Sequence, residues 1–113
     1  MQPLLFHKPT CSTSRNALAL LRARGVEPEV VDYMKVGWDH ATLERLALAT
    51  GSGVRGLLRA KEAAAQALLA SSADDATILK AMIANPVLVE RPIVETDKGA
   101  RIGRPIERML EVL

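Results

Sequence analysis

Cysteine is almost missing from this chain: Cys11 is the only one in 113 residues. No internal disulfide can form, and zinc sites built on cysteine pairs are excluded. His7 and His40 are the only histidines, which argues against a metal cluster. Aromatics are as scarce. Phe6, Tyr33 and Trp38 make up the set and offer no stacking platform for single-stranded nucleic acid. No apolar run approaches the roughly 20 residues needed to cross a bilayer, and the N-terminus lacks the pattern of a signal peptide. Charge of one sign is lacking too. The net charge is +2, from 15 basic and 13 acidic residues, and neither half forms a basic arm that would grip a phosphate backbone. These absences predict a cytoplasmic protein that binds neither membrane nor nucleic acid.

What is present fits one small globular domain. The composition is 49% hydrophobic and 25% charged, close to the soluble average. A chain of this length buries about two-thirds of its extended surface, enough for one core without a disulfide or structural metal. Ten of the fifteen basic residues are arginine, the side chain that grips oxyanions with two parallel donors.

Leu4-Leu5-Phe6 reads as a buried first strand, ended by His7-Lys8-Pro9. Ser12-Thr13-Ser14 supply capping residues, and Ala17, Leu20 and Leu21 recur at helical spacing up to Gly25. Glu29–Tyr33 is a second strand, so residues 4–33 form a βαβ unit. Asp39 opens a helix through Leu43, Leu46 and Ala47 that stops at Gly51. Val54, Leu57 and Leu58 share a short apolar face, and residues 61–70 continue helical. Asp74 or Asp75 starts a further helix with Ile78, Leu79, Met82 and Ile83 inward, ended by Asn85-Pro86. Ile93–Thr96 and Ala100–Ile102 pair as a hairpin about Asp97-Lys98-Gly99. Pro105 sits in the first turn of a last helix presenting Ile106, Met109, Leu110 and Leu113. The fold class is α/β: a thioredoxin/glutaredoxin-like mixed sheet in one domain, 1–113, with a helical insertion over about 39–85.

Cys11 falls in the turn between the first strand and the first helix. Unpaired N–H groups and the positive end of the helix dipole favour a thiolate there. His7, Lys8 and Arg15 lie near it in sequence as three potential cations. Ser12, Thr13 and Ser14, with the backbone N–H groups of the turn, can hold an oxyanion beside the sulfur. This placement points to a nucleophile rather than a small core residue.

The run from His7 to Asn16 resembles the active-site turn of the glutaredoxin-linked arsenate reductase (ArsC) family, thioredoxin-fold proteins with a helical insertion. Val54–Arg59, Glu90–Val94 and Arg101–Pro105 resemble three further family segments in order and spacing. The resemblance implies that Cys11 attacks the arsenic of arsenate and that Arg59, Arg91 and Arg104 bind the oxyanion. It implies that His7 helps to keep the thiol ionised and that Pro92 is the active-site proline, commonly cis, packed against the turn. It also implies an adduct on Cys11 resolved by glutathione and glutaredoxin, with arsenite released. Ser14 stands where a second cysteine would be needed to resolve it internally. No flavin, nicotinamide or metal is implied as a bound cofactor.

Blander readings stand beside these. Arg55 and Arg59 fall on a helix, where an isolated arginine is commonly a solvated charge; Arg55 and Arg101 are assigned to the surface. Arg91 could pair with Glu90 or Glu95, Arg104 could merely flank a helix, and His7 could merely cap its strand. His40 is assigned as exposed. Lys8 departs from the family, which often has asparagine there, and its charge suits an anion. Two other functions stay open. One is a glutathione-dependent thiol oxidoreductase with a substrate other than arsenate. The other is a regulator resembling the Spx-type proteins that bind RNA polymerase, although those commonly carry a second cysteine at the position of Ser14.

Overall fold

Strand β1 (Leu4–His7) leads through a tight turn into helix α1 (Ser12–Ala23), and the chain returns along strand β2 (Glu29–Asp32). The computed structural model describes residues 2–113. β1 and β2 run parallel, with Leu5 opposite Val30 and His7 opposite Asp32. Strands β3 (Ile93–Thr96) and β4 (Gly99–Ile102) form the late hairpin. β3 lies antiparallel to β1, which gives the order β2-β1-β3-β4. This is the mixed sheet of a thioredoxin-like fold. Alternation along β1 sends Leu5 to one face, where it meets Ala17 and Leu21 of α1, Val94 of β3, and Met109 and Val112 near the C-terminus.

The chain divides into two compact units, one of residues 1–36 with 91–113 and one of residues 37–90. The first holds the sheet, α1 and a short helix α2 (Tyr33–Val36). The second is helical: α3 (His40–Thr50), α4 (Gly53–Gly56), α5 (Ala63–Ala70) and α6 (Asp75–Ala84), followed by a 3₁₀ turn, Pro86–Leu88. It takes in the stretch expected as a helical insertion. Asp39 and Asp74 cap α3 and α6, their carboxylates accepting from Thr42 N–H at 2.7 Å and Thr77 N–H at 2.8 Å. α3 ends on Gly51 at φ 72°, a left-handed conformation that glycine adopts without Cβ crowding. Among the described residues, no helix is long and apolar enough to cross a membrane.

Several local expectations change. Tyr33 does not extend the second strand but starts α2, with its ring fully buried. Ile83 is 40% exposed rather than inward. The C-terminal helix, Ile106–Val112, is 3₁₀. Its period of three puts Met109 and Val112 in the core; Ile106 and Leu113 pack against that cluster half-buried, as the inward set expected, and Val112 is the addition. Pro105 precedes that helix as its N-cap rather than lying in its first turn. Arg59 is not on a helix either. Beyond α4, Leu58 bridges to Val89, and the Arg59 N–H donates to the Leu88 carbonyl at 2.7 Å.

Gly103 is held by close packing rather than by its φ. A Cβ there would lie 2.9 Å from Pro92 Cγ and 3.3 Å from Met109 Cγ and Sδ. The proline ring has little freedom to yield. Gly103→Ala is expected to cost about 1–3 kcal/mol as an overpacking substitution, read as a lower denaturation midpoint at unchanged slope.

Candidate active site

The candidate nucleophile sits where a capping side chain ordinarily sits. The Cys11 N–H donates to the Lys8 carbonyl at 2.9 Å and closes the turn after β1. Cys11 is then the N-cap of α1, extended at φ −94° and ψ 121°, and its carbonyl accepts from the Arg15 N–H at 3.0 Å. At Asp39 and Asp74 an oxygen satisfies the first helical N–H groups. At Cys11 no formal cap hydrogen bond closes, but the backbone N–H groups of Ser14 and Thr13 face the sulfur and favour its anion.

Two of the three predicted arginines reach the same atom. Arg104 Nη2 lies 3.8 Å from Cys11 Sγ, and its Nε donates to the Arg91 carbonyl at 2.8 Å. The Arg91 guanidinium is a further donor to the sulfur, on a residue that is only 5% exposed. The Arg91–Pro92 and Arg104–Pro105 peptide bonds are both cis, and the Gly103 N–H donates to the Pro92 carbonyl at 2.8 Å. The two Arg-Pro segments thus hold each other through their backbones beside Cys11. Burial acts to raise the thiol pKa. The Ser14 N–H, the Arg91 guanidinium, the Thr13 N–H and the Arg104 charge outweigh it, and the pKa falls below the ordinary value.

His7 and Ser14 take roles other than those expected from sequence. The Ser14 hydroxyl is fully buried; it is 2.6 Å from His7 Nδ1 and accepts from the Lys8 N–H at 3.1 Å. It is therefore engaged in tying α1 to the end of β1 and is not presented to an oxyanion. Only the Ser14 N–H faces the sulfur. His7 is 6% exposed. Burial lowers its pKa, the Asp32 carboxylate opposes this, and the Arg15 and Arg22 charges add to the lowering. Its ring is neutral near pH 7, so it orients Ser14 rather than adding a cation. Arg15 is turned away as well, donating from Nη1 to the Pro9 carbonyl at 2.9 Å. Ser12 is exposed and Thr13 half-buried at the start of α1.

Arg59 belongs to the helical unit, where Glu90 holds Nη1 at 3.2 Å and Glu62 approaches Nε at 3.5 Å. Arg55 donates to the Ala73 carbonyl at 2.7 Å, and Arg101 pairs with Glu111 at 2.8 Å. His40 is exposed beside Glu44. Among the described residues, no group of three or more His, Cys, Asp or Glu could hold a metal ion. The sequence reading missed two supports of the site, the Arg91 carbonyl and Gly103. A carbonyl has no sequence signature; the only hint was a glycine directly before an Arg-Pro pair.

Two outcomes follow from these charges. Alkylation of Cys11 by iodoacetamide is expected to rise with pH around a midpoint below the ordinary thiol value, and Arg104→Ala should move that midpoint upward. An unmoved midpoint would remove this guanidinium from the charge balance. For His7, the unfolded chain binds a proton more readily than the folded one. The associated stability is complete above the ordinary value of 6.5 and is lost as pH falls through the lower folded value. Denaturant unfolding at a series of pH values should therefore show a steeper acid-side loss for the parent than for His7→Gln.

Comparison with known proteins identifies the family. The family model described as ArsC family matches residues 6–112. Arsenate reductase ArsI2 of Synechocystis is 44% identical over 112 residues, covering 97% of this chain and 80% of the relative. The uncharacterized protein YfgD of Escherichia coli is 46% identical over 115 residues, covering 99% of this chain and 97% of the relative. The solved structure of an arsenate reductase from Vibrio cholerae superposes with a TM-score of 0.91 at 38% identity, covering 100% of this chain and 98% of that one. With that family model matched along nearly its whole length, the chain belongs to the ArsC family.

Proposed function

We propose that this protein is an arsenate reductase in which Cys11 is the nucleophile. The observation that carries the reading is the convergence of two guanidiniums and a helix N-terminus on one lowered-pKa sulfur. Arsenate is a compact oxyanion, so a thiolate attacking it brings two anions together. Arg91 and Arg104 offset that repulsion and can direct donors at oxygens bound to the arsenic. The resemblance of Val54–Arg59 to the family segment with its first oxyanion-binding arginine gives Arg59 the same role. The hydroxyls of Ser12 and Thr13 remain available for that purpose; Ser14 contributes through its N–H.

Attack by the sulfur forms an S–As bond and expels one oxygen as water, leaving a Cys11-bound arsenic(V) adduct. With no second cysteine in the chain, reduction requires an outside thiol. Glutathione displaces a further oxygen as water. A glutaredoxin thiol then attacks the glutathione sulfur, and the As–S electron pair stays on arsenic. Arsenic(III) remains on Cys11 and is released as arsenite by water. Two thiols become one mixed disulfide as arsenic gains two electrons. This chemistry needs the glutathione pool of a reducing cytoplasm and no bound cofactor.

The test is arsenate-dependent NADPH oxidation coupled through glutathione, glutathione reductase and glutaredoxin. Cys11→Ser should abolish turnover, and Arg91→Ala or Arg104→Ala should lower kcat by roughly 10²–10³-fold, the scale of losing one oxyanion donor. Cys11→Ser turning over like the parent would overturn the mechanism. A parent that ignores arsenate yet reduces a glutathione mixed disulfide would be a thiol oxidoreductase of the same family.

A further inference from the structure

Arg59, a proposed oxyanion ligand, faces two carboxylates, and neither grips it as a structural ion pair would. The helical unit first aligns two short stretches, residues 57–59 and 88–90. Leu58 and Val89 form an antiparallel bridge. On either side of it the Arg59 N–H donates to the Leu88 carbonyl at 2.7 Å and the Glu90 N–H to the Leu57 carbonyl at 2.8 Å. This register makes Arg59 and Glu90 diagonal neighbours across the bridge, a separation that long side chains span. Glu62 arrives from the turn that follows, its N–H donating to the Arg59 carbonyl at 3.0 Å.

The strong structural pairing of arginine with a carboxylate is a fork of two parallel N–H···O bonds. Here the two carboxylates take separate nitrogens. Glu90 Oε1 accepts from Nη1 at 3.2 Å. Glu62 Oε1 stands 3.5 Å from Nε, a contact of charge beyond the roughly 2.7–3.2 Å of an N–H···O hydrogen bond. Nη2 has no partner among the described residues. The Arg59 side chain is only 14% exposed, so the guanidinium is confined while one nitrogen stays unused. Two carboxylates beside an anion-binding cation weaken its attraction for arsenate. What they supply is direction.

We infer that Glu90 is a positioning residue for arsenate reduction: by holding Arg59 at Nη1 it leaves Nη2 directed at an oxygen of the oxyanion. The inference rests on the proposed arsenate reduction and on the oxyanion role proposed for Arg59. Glu90 acts through Arg59 and takes up neither a proton nor an electron pair. Its charge lowers affinity for a doubly charged substrate. Its hold raises the rate, because a donor already in place needs no reorganisation as the sulfur adds and charge grows on the arsenic oxygens. Affinity and rate therefore separate. Glu90→Gln keeps an acceptor for Nη1 and removes the negative charge, whereas Glu90→Ala removes both.

The experiment has two arms. The first measures kcat and KM for arsenate in the glutathione- and glutaredoxin-coupled assay. Glu90→Ala should lower kcat about ten- to a hundred-fold, the scale of a misplaced catalytic group. Glu90→Gln should restore most of that kcat and bring KM for arsenate below the parental value. In an Arg59→Ala background Glu90→Ala should add little, since residues that act through one another do not add. Glu90→Leu, which fills the space without an acceptor, carries the same expectation if the smaller side chain prevents folding. The second arm reads the guanidinium by nitrogen NMR without substrate. Arg59 should give separate Nη1 and Nη2 resonances in the parent and in Glu90→Gln, and one averaged resonance in Glu90→Ala. If the parent turns over and Glu90→Ala keeps the parental kcat, or costs as much without Arg59, the inference is overturned while arsenate reduction stands. Glu90→Gln falling as far as Glu90→Ala, or an averaged resonance in the parent, overturns it as well. If the parent ignores arsenate but the resonances behave as expected, the hold on Arg59 stands, and the arsenate reading fails together with the role that hold would serve.

Discussion

A sulfur anion half-buried in protein persists only where donors and positive charge face it, and at Cys11 these come from three separated parts of the chain. The first helical N–H groups are available because Cys11 takes the N-cap position that an aspartate takes in α3 and α6. The two guanidiniums arrive from the start of β3 and the segment after β4. The surrounding architecture keeps these groups in place. The Ser14 hydroxyl fixes α1 to the end of β1, the Arg91 carbonyl fixes Arg104, and Gly103 lets Pro92 and Met109 close on the same corner. In the proposed reaction, a group in this network acts through the sulfur or through an oxygen that the sulfur displaces.

At this thiol burial disfavours the charge that the donors favour, and the donors prevail. A fully exposed thiol would lack the fixed donors, and a fully buried one would lose the ion. Half-burial leaves the sulfur open to a substrate while the arginines stay ordered. It also explains the neutral His7. A buried imidazolium near the Arg15 and Arg22 charges would add repulsion among cations, whereas the neutral ring holds a hydroxyl and so the helix start.

Family membership narrows the chemistry. Relatives of comparable similarity include proteins named arsenate reductase and the uncharacterized YfgD. A thiolate with arginines around it would serve any tetrahedral oxyanion or thiol exchange. Substrate choice then depends on how many oxygens the arginines hold at once.

The sequence by itself determined the order of the strands and longer helices, the Asp39 cap, the hairpin and the position of Cys11 at a helix start, and it left the second cap between Asp74 and Asp75. Each of these is a local pattern of period, cap or turn. Local pattern was insufficient where a residue's partner lay far along the chain. Tyr33 looked like strand until its ring became core, and the last helix became 3₁₀ where Met109 and Val112 had to face the same cluster. Arg59 left its expected helix because Leu58 found Val89, about thirty residues on. The site divides in the same way. Its nucleophile and arginines could be named from motifs, but the tertiary structure decided their states. It made His7 neutral, turned Arg15 away, engaged the Ser14 hydroxyl and set Arg104 against both the sulfur and the Arg91 carbonyl. Charge state and hydrogen-bond direction depend on burial and on neighbours brought together by the sheet, and neither is a property of adjacent residues alone.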